Sequence, residues 1–565
     1  MRFAARLLAG FLAFGLGAAA PAAAKDAAAA IWYGGPIITM DGDKPATVEA
    51  VVERGGSIVF VGSEAQARAM AGKNARLHDL HGATLLPGFV DAHSHFAIGL
   101  QTAGGLDLAD PTTGDTGTAA KLLGAVKQFG ETLPKGSWVV VWKYDDSALA
   151  EKRHITRAEL DTILPEHKVV LFHVSLHGLV ANSAALEAAG LQDGMSPPEG
   201  GVMPSDANGK LTGLVFEKAM MPISAVLPKP SAEARLAAVD RVQMLYAREG
   251  FTWAQDGATL PADLVFLTSP EAQQRLKIDL ALLPFAMATY ETLQQNPAFA
   301  PGARFGRVKL QGIKFTLDGS PQARTAYFTR DYAQGSPDGS HPWHGQPIVR
   351  DSEFQALLRK VSGRGWQIFV HANGDAAIDM AIRGFDAMGI KASQDRRPIV
   401  IHSQFMRPDQ LPAYKRIGVG PAYFSNHTFY FADTHRRNFP HEVVDFISPF
   451  VASRAMGLIP SNHSDFPVTP LNSRFQIWTA MARTSQTGVI SGADQRETIW
   501  HALQDMTTGP AWQVFEENRR GRIKPGLLAD FVVLDRNPLT APLDEVRDIR
   551  VLETIKEGQT IWKAG

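Results

Sequence analysis

Leu85-Leu86-Pro87-Gly88-Phe89-Val90-Asp91-Ala92-His93-Ser94-His95-Phe96 is a short apolar run that ends in two histidines one residue apart. On a β-strand, side chains at i and i+2 share a face, so His93 and His95 converge while Ser94 turns away. Imidazole nitrogen suits Zn²⁺ and similar first-row ions, whose ligands must aim at one point. Taken alone, the pair fits two satisfied histidines at a strand end equally well. Its weight comes from the residues that follow.

The same placement recurs along the chain. The apolar run at 308–315 carries Lys314 and leads to Asp318-Gly319-Ser320. Val370 is followed by His371, Ile401 by His402, and Gly457-Leu458-Ile459 leads to His463 and Asp465. In a (β/α)₈ barrel all strand C-termini face one end, so residues there converge whatever their separation in sequence. Strand candidates at 138–142, 169–174, 308–315, 367–370, 399–401 and 457–459 alternate with helix-like segments at 231–249, 352–362, 376–388 and 491–506. That alternation is the mark of an α/β architecture.

Both ends read differently. The runs 31–33, 36–40, 50–52 and 57–61 are β-prone and punctuated by Gly34-Gly35, Asp41-Gly42 and Gly55-Gly56. The segments 529–534, 551–555 and 560–562, with a turn at 557–559, match them at the C-terminus. The fold expected is therefore α/β: a (β/α)₈ TIM-like barrel with a small β-sandwich domain built from both ends of the mature chain. The expected boundaries are a signal peptide at 1–24, sandwich parts at 25–86 and 510–565, and a barrel at 87–509 with a long insertion at roughly 100–305.

Composition narrows the class. A length of 565 residues suits one large domain plus a smaller one. Lys+Arg of 56 against Asp+Glu of 57 leaves a net charge of −1, so no basic field recruits nucleic acid or anionic lipid. There is no cysteine, which excludes disulfides and thiolate ligands; any metal is held by nitrogen and oxygen. Arg2 and Arg6, the apolar stretch 7–20 and Ala22-Ala23-Ala24 read as an export signal, too short in its apolar part to span a bilayer. The mature protein is expected to be periplasmic, without a membrane span. Oligomeric state is left open, a homodimer among the options.

Lys314 needs its own account. An ammonium is only a donor and cannot bind a cation. Buried among cations its pKa falls, and the neutral amine can take up CO₂ to give a carbamate, an oxygen ligand able to bridge two metals. The alternative is a lysine paired with Asp318.

With these residues in view, the chain resembles the amidohydrolase superfamily, in its YtcJ-like or amidohydrolase-3 branch, which includes N-substituted formamide deformylases. The resemblance runs through the stretches 37–42, 87–95, 176–183, 200–217, 313–320, 370–375, 401–403, 464–468 and 524–530. It implies that His93 and His95 hold one metal, that Lys314 is the carboxylated bridging lysine, and that His371 and His402 bind a second metal or one of them contacts substrate. Asp465 would bind metal and shuttle protons. The implied cofactor is a divalent metal, Zn²⁺ first, as one ion or two. A bound metal lowers the pKa of its water to about 7, and Asp465 then acts as base and acid with His402 beside it. The sequence departs from the pattern at Ile401, where members often carry Glu.

Secondary candidates have two readings each. His177 and Asn182 face substrate or serve structure, Asn182 as a helix cap. Asp145-Asp146 follows a strand and either faces the pocket or is solvated. His427 and its aromatic neighbours wall a pocket or pack a core. Asp318 is a candidate substrate contact, and His463 orients Asp465 or is a bonded loop residue. The function expected is hydrolysis of the C–N bond of an amide-type small molecule. An esterase or lactonase is the alternative, and a non-catalytic exported binding protein a third reading. A serine mechanism through Ser94, Ser320 or Ser403 lacks the Gly-x-Ser-x-Gly elbow.

Overall fold

A computed structural model describes residues 28–565 apart from 103, 104, 109–112, 114, 147 and 338. The export signal expected at 1–24 lies outside the described residues.

Eight parallel strands carry the site: β1 (Phe89–Val90), β2 (Phe251–Thr259), β3 (Asp279–Pro284), β4 (Gly312–Thr316), β5 (Gln367–Ala372), β6 (Ile399–His402), β7 (Gly420–Tyr423) and β8 (Ser461–Asn462). One sheet runs β1, β2, β3 and then Val308–Leu310, all parallel. The other runs from β4 to β8 in order, also parallel. Val308–Leu310 leads directly into β4 across Gln311, and Phe285 just past β3 bridges Lys314 in parallel. Burial is almost complete along these strands, as expected where both faces are covered. Helices such as Ala232–Arg248, against β2, and Asp375–Ala387, against β5, pack on these sheets. The first is capped by Ser231, whose hydroxyl accepts from Ala234 N, and it buries Val239, Val242 and Tyr246.

The two chain ends meet in one eight-stranded sheet. Thr84–Pro87 pairs antiparallel with Phe531–Leu534, Val532 opposite Leu86. Thr47–Arg54 and Ser57–Gly62 form a hairpin turned by Gly55 and Gly56, both at positive φ, as a two-residue hairpin turn demands.

Three expectations need correction. The segment 100–305 is not one insertion: a separate six-stranded sheet occupies 106–217, while β2 and β3 belong with β1. No strand forms at 457–459, because Gly457 turns the chain at φ 76° and pairing with β7 begins only at Ser461. The helix expected at 491–506 is confined to Ala493–Gln495 and Ile499–Gln504, the second started by the Thr498 side chain on His501 N. Among the described residues no helix is long and apolar enough to cross a membrane.

Candidate metal centre

β1 stops at Val90, so His93 and His95 do not converge by strand alternation. They converge because the chain bends at 91–94 before the helix Phe96–Thr102, and Ser94 is anchored on the other side. Its hydroxyl bonds Asp91, the Tyr246 hydroxyl and the Gln255 carbonyl. With Ser94 turned away, His93 Nε2 and His95 Nε2 stand 3.2 and 3.3 Å from the same oxygen, Asp465 Oδ1. That oxygen makes no hydrogen bond, so the three groups point at a common place rather than at one another. Separations near 3.3 Å are those of neighbouring ligands around an ion with bonds of about 2.0–2.1 Å.

The other ligand candidates join this core one contact at a time. His402 ends β6, and one nitrogen of His93, one of His402 and one oxygen of Asp465 lie mutually within 4.8 Å. Lys314 on β4 is buried, its Nζ 3.3 Å from His93 Nε2. His371 on β5 faces His402, Nδ1 to Nε2 3.1 Å. His402 and Asp465 both have positive φ, 71° and 54°, a conformation that costs energy in L-residues and gathers at functional sites.

Electrostatics suit a cation. Burial lowers His93, with Lys314 adding to it, and burial lowers His402, so both rings stay neutral and able to bind metal. Burial alone would raise Asp465, but His402, His93 and His95 outweigh it and hold the carboxylate ionised. Lys314 is pushed down to about 7 by burial, against the pull of Asp465.

Some residues do other work than expected. Asp318 is fully buried and accepts from Tyr327 N, Asn373 N and Gly374 N, with His371 Nε2 3.3 Å away. Both its oxygens are used, so it orients His371 and has none left for substrate; nor is it the partner of Lys314. His463 does not orient Asp465: neither ring nitrogen has a hydrogen bond, and the ring packs 5.2 Å from that of His93 and 5.1 Å from that of His402. Ser403 bonds the Val400 carbonyl and Tyr414, away from the ligands.

The cleft above the ligands is lined by His177, Ser320, Phe424 and His427 among others. His177 comes from the six-stranded sheet, and its Nδ1 lies 2.9 Å from Glu217 Oε2. Burial lowers its pKa, but Glu217 overrides that and the net shift is upward. Asn182 caps Ser183–Ala188, its side chain accepting from Ala185 N. His427 bonds His435 at 3.0 Å, and burial pushes it down to about 3. Sequence reasoning missed Ser175 and Asn373, which also line the cleft, and Gly257, whose hydrogen faces the His93 ring.

Residues 76–562 match the family model described as "Amidohydrolase family". The chain is 28% identical over 528 residues to the N-substituted formamide deformylase of Arthrobacter pascens, covering 90% of this chain and 94% of that one. It is 26% identical over 555 residues to YtcJ of Bacillus subtilis, covering 94% and 99%. In fold it is similar to an uncharacterized metal-dependent hydrolase from Pyrococcus horikoshii, at TM-score 0.72, 22% identity and coverage of 91% and 99%.

Proposed function

The chain belongs to the amidohydrolase family, and from that premise we propose that it cleaves the C–N bond of a small linear amide, N-substituted formamides being the first class to test. The carrying observation is the convergence of buried, neutral His93 and His402 on ionised Asp465. His93, His95, His402 and Asp465 would hold the ion, with His371 and a carboxylated Lys314 as the donors of a second. An ion there supplies acidified water and a polarised carbonyl. Asp465 accepts the proton of the attacking water and returns it to the departing nitrogen. His177, held by Glu217 and 5.1 Å from the His371 ring, donates to the substrate oxygen, and Phe424 and His427 line the same cleft. The formamide of the Arthrobacter relative, whose carbonyl carries only hydrogen, supports that choice.

The eight parallel strands are read as one closed barrel. Support comes from the Phe285–Lys314 bridge and from β1 and β8, which both bond one loop: Val90 N donates to Met506 O, and Asn462 N to Asp505 O, each at 2.9 Å. The sheet built from both ends is read as the small second domain, and export to the periplasm as the destination.

The test is metal per chain of the mature protein by inductively coupled plasma mass spectrometry, with His93→Ala and Lys314→Ala beside it. Two ions at this centre, lost in both variants, with chelator-sensitive turnover of formamides, is the expected result. One ion insensitive to Lys314→Ala removes the carbamate. No tightly held metal after growth with zinc or manganese overturns the reading, and turnover of esters alone replaces the amidase with an esterase.

A further inference from the structure

Three neighbouring strands of the six-stranded sheet, Leu106–Asp107, Trp138–Tyr144 and Lys168–His173, run parallel. Their carboxyl ends therefore lie on one side, the side on which open parallel sheets hold ligands. Tyr144 stands opposite His173 in the register, so Asp145 and Asp146, the next two residues, arrive beside the His173 ring. One oxygen of each carboxylate and one ring nitrogen of His173 lie within 4.8 Å of one another. His173 Nε2 is 3.0 Å from Asp146 Oδ1, and His154 Nδ1 is 3.6 Å from that same oxygen. We infer that Asp145, Asp146, His154 and His173 form a second divalent-cation site, separate from the centre at His93.

The donor set is two imidazoles and two carboxylates, which suits Zn²⁺ and neighbouring first-row ions and gives no preference for Ca²⁺ or Mg²⁺. The observed 3.0 and 3.6 Å bracket the ligand-to-ligand spacing around an ion with bonds of about 2.0–2.2 Å. This is not a solvated acidic loop: the His173 side chain is 4% exposed, and those of Asp146 and His154 are 27% and 21% exposed. Burial holds His154 down at about 4, so its ring is neutral and free to ligate. The nearby ammonium of Lys143 is taken up by Asp107 at 2.7 Å. Arg324 faces His154 and disfavours its charged form.

An outer shell is already in place. Ser175 holds the far side of the ring, its N–H donating to His173 Nδ1 at 3.2 Å and its hydroxyl 2.7 Å from the same nitrogen, which keeps Nε2 turned towards Asp146. The Tyr144 hydroxyl, 3.3 Å from His154 Nδ1, is held by Ile155 N at 2.7 Å and is the neighbour an ion would displace. Ser175 also lines the catalytic cleft. An ion held by His173 would thus brace the cleft wall that carries Ser175 and, two residues on, His177.

Zn²⁺-soaked crystals of the full mature chain, measured on both sides of the zinc absorption edge, should show an anomalous peak bounded by His154 and His173. Metal content after dialysis against Zn²⁺ should fall by an ion per chain in His173→Ala and in His154→Ala. In His93→Ala the loss should be from the central site, with this ion retained. An anomalous map with density at His93 and none between His154 and His173 overturns the inference. So does unchanged metal content in variants whose circular dichroism matches the wild type. If the variants fail to fold, the wild-type map alone decides.

Discussion

Gly257 has no side chain, and His93 occupies the space one would need. A Cβ there would stand 2.1 Å from His93 Cε1 and 2.7 Å from Nδ1. No real contact is that close, so Gly257→Ala must push the ring off its position. The expected outcome is at least tenfold weaker metal retention on dialysis, with overpacking against His93 and the Ser94 carbonyl also costing roughly 1–3 kcal/mol of metal-free stability. Lys314 gives a pH test. The unfolded chain holds its proton up to about 10.5, while the folded chain holds it only to about 7. Between those values the unfolded state binds more protons, so this group makes metal-free stability rise with pH across that window. Lys314→Met should flatten the rise in urea midpoints measured at pH 7, 8 and 9; an unaltered slope would refute the assignment. The two histidines were legible as a pair in the sequence. The role of Gly257 was not, because nothing in Gln255-Asp256-Gly257 says which ring lies across from it.

At the scale of elements, the strand ends were easier to find than the strands. β2 and β3 were missed because Gln255, Asp256 and Gly257 interrupt an apolar run and because Asp279 opens the other strand. Asp279 belongs to a buried charge network whose hub is Arg520. Arg520 is paired with Asp279, Asp530 and Glu516 and lies over the Trp253 ring at 4.5 Å. Lys556 adds its own pairs to Asp279 and Asp530. The network therefore links β2 and β3 to the sheet made from the chain ends. Removing one member of such a network strands the opposite charges in the interior, at a cost of roughly 3–5 kcal/mol. Arg520→Met should destabilise by about that amount in denaturant unfolding while the folded fraction keeps its metal. A loss below about 1 kcal/mol, the range of exposed pairs, would mean that solvent reaches the network.

Across the whole molecule, the last strands support ligands they never touch. Val551–Lys556 and Gln559–Lys563 complete the sheet beside Phe531–Leu534, and the Thr554 hydroxyl donates to Ala247 O at the end of the helix Ala232–Arg248. Deleting 551–565 bares the edge of Phe531–Leu534 and removes Lys556, so the soluble yield of the truncated chain should collapse; a soluble, metal-loaded product would show the two units to be independent. By itself the sequence determined the ligand types, the absence of thiolate, the alternation of strand and helix, and the β character of both ends. These follow from residue chemistry and from local periodicity. Only the tertiary structure decided that Asp318 serves His371 and not substrate. Only it packed the bare ring of His463 against those of His93 and His402, and gathered Asp145, Asp146 and His173 at the ends of parallel strands. Which side chains meet depends on the pairing of segments far apart in the chain, and no local pattern encodes that pairing.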